Sequence, residues 1–290
     1  MTHLGVLFTA LSGILYGSIG YFGIRLAQEG LTVPDLLFWR FSFSVILLLP
    51  ITLFIWKKHQ KTKDYLSLFF LFILGIVLYG AGSALYFEAS QTIGTGLAMV
   101  LFFTYPLFVV ALSYFVHQIP LSKAVFASLI LITTGCGLIA FGDGFHANLD
   151  QFGMLLAVIS GVGYGLYLFF SKKIAHEINP VIATFVVCLG SSVTFILHML
   201  ITQQALYWPT SLFTWTLIGS FSLFGTVLPV LFMLIGLQYI SANKASVISV
   251  LEPVTVLIVG VFILNEPVTG IQLLGAFTIL SSAIIIQLDK

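Results

Sequence analysis

The sequence predicts an all-α membrane protein of ten transmembrane helices, arranged as two five-helix repeats of inverted topology with both termini cytoplasmic. Three observations carry that prediction. Of 290 residues, 59% are hydrophobic and only 7% charged, too little polar side chain to coat a soluble globule of this size. Apolar stretches of roughly 20 residues, the length that spans a hydrocarbon core of about 30 Å, follow one another along the chain. Blocks of sequence also recur at a nearly constant offset between the two halves.

Apolar runs between turn and charge clusters give spans near 4–25, 34–56, 66–88, 93–116, 122–141, 151–171, 180–203, 211–236, 241–264 and 268–287. The first has no Lys or Arg before it and no small-residue cleavage site, so it reads as a retained span and not a signal peptide. Pro34, Pro120, Pro180 and Pro267 fall at or near helix starts, where the missing N–H costs little. Cys136 and Cys188 sit inside apolar spans, which excludes a disulfide framework and reads as small buried hydrophobes.

The basic residues orient the chain. With the N-terminus cytoplasmic, Lys57, Lys58, Lys61, Lys63, Lys123, Lys172, Lys173, Lys244 and Lys290 all fall on the cytoplasmic side. Arg25 is outside and Arg40 lies within a span. This positive-inside bias places both termini in the cytoplasm and requires an even number of spans. Lys57 to Lys63 form a basic loop whose topological role explains it.

The repeat is read from particular residues. Ser12-Gly13-Ile14-Leu15-Tyr16-Gly17 returns as Ser160-Gly161-Val162-Gly163-Tyr164-Gly165, and Pro106 and Pro120 return as Pro253 and Pro267. The halves are 1–145 and 146–290. Five spans per half turn the second half upside down relative to the first. Secondary transporters use this arrangement to form a midplane site between halves that rock.

The second span carries Leu36-Leu37-Phe38-Trp39-Arg40-Phe41, and the fourth runs from Ala98 through Pro106 to Gln118-Ile119-Pro120-Leu121-Ser122. The second half carries Leu251-Glu252-Pro253-Val254 and Leu264-Asn265-Glu266-Pro267-Val268-Thr269. Together these resemble the drug/metabolite transporter superfamily, in particular its ten-helix EamA-type permeases, over essentially the whole chain. Gln118-Ile119 departs from the Gly-Glu pair expected there. The resemblance implies a multi-pass carrier of small organic solutes in the bacterial inner membrane, often an exporter of amino acids or related metabolites.

Ionisable residues within spans carry a functional hypothesis. Arg40 and Glu88 lie at similar depth and are placed to pair structurally; alternatively one faces the cavity and binds a charged group of the solute, or Glu88 takes up a proton. Glu252, the deepest of the three, serves either as a structural partner of the kink at Pro253 or as a solute or proton site. Pro106 and Pro253 free the carbonyls of Phe102 and Ser249, in a static kink or at a hinge. Tyr16, Trp39, Tyr79, Tyr86, Tyr105 and Tyr164 are candidate aromatic cavity walls, with ordinary packing as the alternative, and would suit an aromatic, aliphatic or quaternary-ammonium solute. Gly13, Gly17, Gly161 and Gly165 read as helix-packing steps.

No phosphate loop, nucleophile elbow or His-Glu-Xaa-Xaa-His helix occurs, which argues against ATP-driven transport by this chain alone, and the inverted repeats favour a transporter over an enzyme. His117 and His198 show no metal-ligand spacing. The expected partners are a small-molecule solute, membrane lipid and protons as a candidate coupling ion, with no nucleic acid and no cofactor, in a monomer or homodimer. Uptake of an amine or quaternary-ammonium solute is the alternative within transport. A membrane-embedded enzyme or non-transporting scaffold is the alternative class.

Overall fold

Every regular element in the computed structural model, which describes residues 2–58, 64–118, 122–142, 150–263 and 268–288, is helical. We number the helices α1 (Thr2–Gln28), α2 (Val33–Lys57), α3 (Tyr65–Ile93), α4 (Thr95–Val116), α5 (Lys123–Gly142), α6 (Gln151–Ile174), α7 (Pro180–Thr202), α8 (Leu212–Tyr239), α9 (Ala242–Ile263) and α10 (Gly270–Ile286). Among the described residues the first nine are long and apolar enough to cross a membrane, and α10 is apolar but shorter. Pro34 and Pro180 fall in first turns as expected, the latter behind an Asn179 side chain that accepts from the Val181 N–H. Pro120, Pro267, Lys61, Lys63, Lys290 and the Leu264–Pro267 stretch lie outside the described residues, as does most of the Gln118–Ser122 stretch.

Helix contacts follow a regular scheme. α1 packs on α8 and α3 on α6; α1 lies against α9 and α6 against α4; α2 meets α7, and α5 meets α10. Exchanging each helix with the one five later returns the same set. Glycine sets the closest of these approaches. A Cβ on Gly13 would stand 2.6 Å from the Ser249 carbonyl oxygen, and one on Gly161 would stand 2.7 Å from that of Phe102. These two carbonyls are the ones whose donor four residues on is replaced by Pro253 and Pro106, and each is pressed against a bare glycine of the opposite half; that of Ser249 accepts the Glu252 N–H in the 3₁₀ turn instead. Gly135 and Gly275 likewise let α5 and α10 touch backbone to backbone.

Five helices are interrupted near their middles. α1 turns at Gly17–Ser18 and α4 at Phe103–Thr104. α9 tightens into a 3₁₀ turn at Ser249–Leu251, and α3 and α8 each widen into a π-helical segment, Gly75–Gly80 and Leu223–Val227. Such irregular backbone survives at membrane depth only where its freed polar groups find partners inside the protein. Here they do: Ser191 and Thr194 hydroxyls donate to the Gly75 and Ile76 carbonyls, and Arg40 donates to that of Gly225. Large apolar side chains such as Phe54, Phe69, Leu200, Phe262 and Phe277 cover the outer surface, as lipid contact requires. Cys136 and Cys188 are buried and free.

Candidate functional site

A recess of about 530 Å³, mouth included, is walled by four of the interrupted helices together with α2 and α6. Tyr16 and Ile19 come from α1, Arg40 from α2, Phe102 from α4, Ser160 and Tyr164 from α6 and Glu252 from α9. The α3 wall is Leu78, Tyr79, Gly82, Ser83, Tyr86 and Phe87, pairs of residues repeating every four positions and therefore one continuous stripe of helix surface.

Arg40 is 3% exposed, yet no carboxylate neutralises it within ion-pair distance among the described residues. Its Nε donates to Thr226 Oγ1 at 2.6 Å and its Nη2 to the Gly225 carbonyl at 2.7 Å, both in the π-helical segment of α8. The guanidinium lies 4.7 Å from the Phe221 ring centroid and 5.1 Å from that of Phe41. Cation–π contact and two hydrogen bonds hold the group rigid. Its remaining donors are left for the cavity, a ready-made seat for an anionic group.

Glu252 faces the same recess from the first turn of the second segment of α9, directly after the 3₁₀ turn. A cation and a carboxyl therefore line one cavity without being bonded to each other. Between them stand tyrosines. Tyr16 and Tyr79 hydroxyls are 2.9 Å apart, Tyr164 stands edge-on to Tyr16 at 6.4 Å between ring centroids, and the Ser160 hydroxyl is spent on the Gly82 carbonyl.

Of the sequence candidates, Tyr16, Arg40, Tyr79, Tyr86, Tyr164 and Glu252 meet at the recess, while Trp39, Glu88 and Tyr105 do not line it. Trp39 turns the other way. Its indole donates to the Tyr207 carbonyl at 2.9 Å and packs edge-on against Trp208 and Trp215. Glu88 is exposed, one position beyond the cavity stripe of α3, so the pairing with Arg40 allowed by equal depth does not form; Arg40 is taken by α8. Tyr105 lies behind the wall, its ring 4.9 Å from that of Tyr164 and its hydroxyl 2.6 Å from that of Ser249. Pro106 and Pro253 each begin the helical segment after the break in α4 and α9. The sequence reading missed Ser83, Phe87 and Ser160 in the wall and Thr226 and Gly225 behind Arg40. The stripe spacing on α3 was the one available signal for the first two.

Comparison with known proteins follows from this geometry. A solved structure with 19% sequence identity superposes with a TM-score of 0.81 over 98% of this chain and 96% of the other, which shows a shared fold. An uncharacterized transporter of Archaeoglobus fulgidus is 25% identical over 276 residues, covering 95% of this chain and 93% of its own. The uncharacterized inner membrane transporter YedA of Escherichia coli K12 is 22% identical over 96% and 88% respectively. The threonine/homoserine exporter RhtA of Salmonella typhimurium is 25% identical over 79% and 73%. The profile of the EamA-like transporter family matches residues 3–141 and again 151–288, so the chain is a multi-pass membrane protein that belongs to the EamA-like transporter family.

Proposed function

We propose that this protein is a secondary transporter of small zwitterionic metabolites, amino acids or close relatives, working in the bacterial inner membrane. The observation that carries the reading is the pair Arg40 and Glu252, which line one cavity unbonded to each other. A solute carboxylate fits the free edge of the pinned guanidinium, and its ammonium group fits Glu252. Tyr16, Tyr79, Tyr86 and Tyr164 supply ring faces for an apolar side chain. The similarity to a threonine/homoserine exporter supports amino acids as the solute class and export as the direction.

The same reading takes the chain as ten spans in two inverted halves, 1–145 and 146–290, with both termini cytoplasmic, that rock about the cavity in alternating access. The double match of the family profile and the five-helix exchange in the contact scheme support it. Pro106 and Pro253 are its proposed hinges, and Glu252 is its proposed proton site.

Flux of labelled threonine into liposomes containing the purified protein tests the function. Saturable flux, lowered at least tenfold in Arg40→Gln and Glu252→Gln, is expected; flux equal to that of empty liposomes for threonine and a panel of amino acids overturns it. The aromatic walls also favour a second reading, an amine or quaternary-ammonium solute held by cation–π contact. Choline flux that survives Arg40→Gln would select it. Chemical conversion of a solute without vectorial movement would select an enzyme instead.

A further inference from the structure

A second recess, of about 220 Å³ with its mouth included, is lined by Leu71, Ser171, Ile174, Ile178, Ala183 and Leu234, among others. It shares two helices with the first. On α6 the order is Ser160 and Tyr164 at the first recess, then Ser171 and Ile174 at the second; on α3 it is Leu71 at the second, then Leu78 at the first. Tyr164 to Ser171 and Leu71 to Leu78 are each seven residues, about 10 Å of helix. Two antiparallel helices thus place the recesses one above the other at the same separation.

A tyrosine layer fills the gap. Tyr167 is buried between the recesses, its ring 5.1 Å from that of Tyr79 and 6.0 Å from that of Tyr164, and Tyr79 is bonded to Tyr16. Ser160, Tyr164, Tyr167 and Ser171 are spaced by four, three and four residues, so their hydroxyls form one polar stripe along α6 that runs through both recesses. Tyr167 and Ser171 are each 1% exposed, and their hydroxyls, which stand beside each other, have no other hydrogen-bond partner among the described residues. Two buried hydroxyls with only each other to pair with leave donor and acceptor capacity unmet, which calls for an explanation such as a group that is present only part of the time.

We propose that the second recess is the opposite mouth of the solute path, that the layer of Tyr16, Tyr79 and Tyr167 is its closed gate, and that the Tyr167 and Ser171 hydroxyls are a transit site for polar groups of the solute and its water. The gate opens by parting Tyr16 from Tyr79. The two hydroxyls then gain partners besides each other.

Single-cysteine accessibility tests this in the full chain, with the wild type as blank because Cys136 and Cys188 are buried. A membrane-impermeant methanethiosulfonate reagent is applied to right-side-out and inside-out vesicles. Ser83→Cys is expected to react from one face and Ser171→Cys only from the other. Adding Tyr79→Phe, which deletes the hydroxyl and keeps the ring, is expected to raise the Ser171→Cys rate by roughly 3–10-fold, about the worth of one hydrogen bond, and to lower the Ser83→Cys rate. Reaction of both positions from one face, no reaction at Ser171→Cys in either background, or a rate that Tyr79→Phe leaves unchanged overturns the proposal. Ala175→Cys, in the same recess, replaces Ser171→Cys if that variant does not fold. Labelling reads the opening without any solute, so its failure is separate from failure of the zwitterion reading.

Discussion

Arg40 shows how a single side chain is placed by elements far from it in sequence. Its two bonded donors go to Thr226 and Gly225, 186 and 185 residues away, and hydrogen bonds to charged groups are worth about 1.5–3 kcal/mol each. Arg40→Lys keeps the charge but has no planar fork to reach both partners and the cavity. It is expected to lose at least tenfold in flux and roughly 2–4 kcal/mol of stability, read by liposome flux and thermal unfolding. Asp64 makes a prediction of a different kind. Its carboxylate caps α3, accepting from the Ser67 hydroxyl at 2.7 Å and from the N–H groups of Ser67 and Leu66, and these bonds hold its pKa below the usual carboxylate value. A folded pKa below the unfolded one stabilises the fold above the unfolded value, and that contribution is lost as pH falls through the folded value. Wild type is therefore expected to lose stability on acidification more steeply than Asp64→Asn, measured as the melting temperature from pH 6 down to about 2.

At the scale of elements, the helix interruptions and the glycine contacts belong together. Each of the five broken helices either lines the main recess or, in α8, holds the arginine that does. Breaking a helix frees carbonyls, and the partners that satisfy them fix the neighbouring helix in place. Gly13 and Gly161 bear on the carbonyls released by the two prolines. Gly13→Ala or Gly161→Ala drives a methyl group into backbone that has little room to yield, so each is expected to cost about 1–3 kcal/mol. Gly137→Ala, where a Cβ would meet nothing within 4 Å, is the control and is expected to leave the melting temperature unchanged or slightly raised. The spacing of Pro106 and Pro253 made the breaks in α4 and α9 legible in the sequence. The π-helical segments of α3 and α8 were not, because Gly75–Gly80 and Leu223–Val227 carry the same apolar composition as regular helix on either side.

For the whole molecule, the principal helix contacts (α1 with α8 and α9, α6 with α3 and α4, α2 with α7, α5 with α10) are returned when each helix is exchanged with the one five positions later. The proposed inversion of the halves has one direct consequence for topology. Reporter fusions after residue 290 and before residue 1 are expected on the same, cytoplasmic, side, and a fusion near residue 146 on the opposite side. Of the candidates at the recess, Tyr16 and Tyr164 were marked by the repeat and Arg40 and Glu252 by the rarity of charge in lipid, whereas Tyr79 and Tyr86 had only their ring chemistry to single them out. Trp39 and Glu88 had the right depth, but depth does not fix direction. One residue along a helix turns a side chain by about 100°, which is enough to move Glu88 out of the cavity stripe and Trp39 into the aromatic cluster at the helix ends.

Composition and hydropathy were enough by themselves to specify a helical protein with many membrane-spanning segments, because a chain in hydrocarbon must satisfy its backbone within each segment. Which faces of those helices meet is another matter. In a chain where lipid-facing and core-facing residues are equally apolar, no periodicity marks the inside. Only tertiary packing brought Arg40 to the π-helical segment of α8, set Glu252 across the same recess, and buried Tyr167 beside Ser171 at the inner end of the second recess.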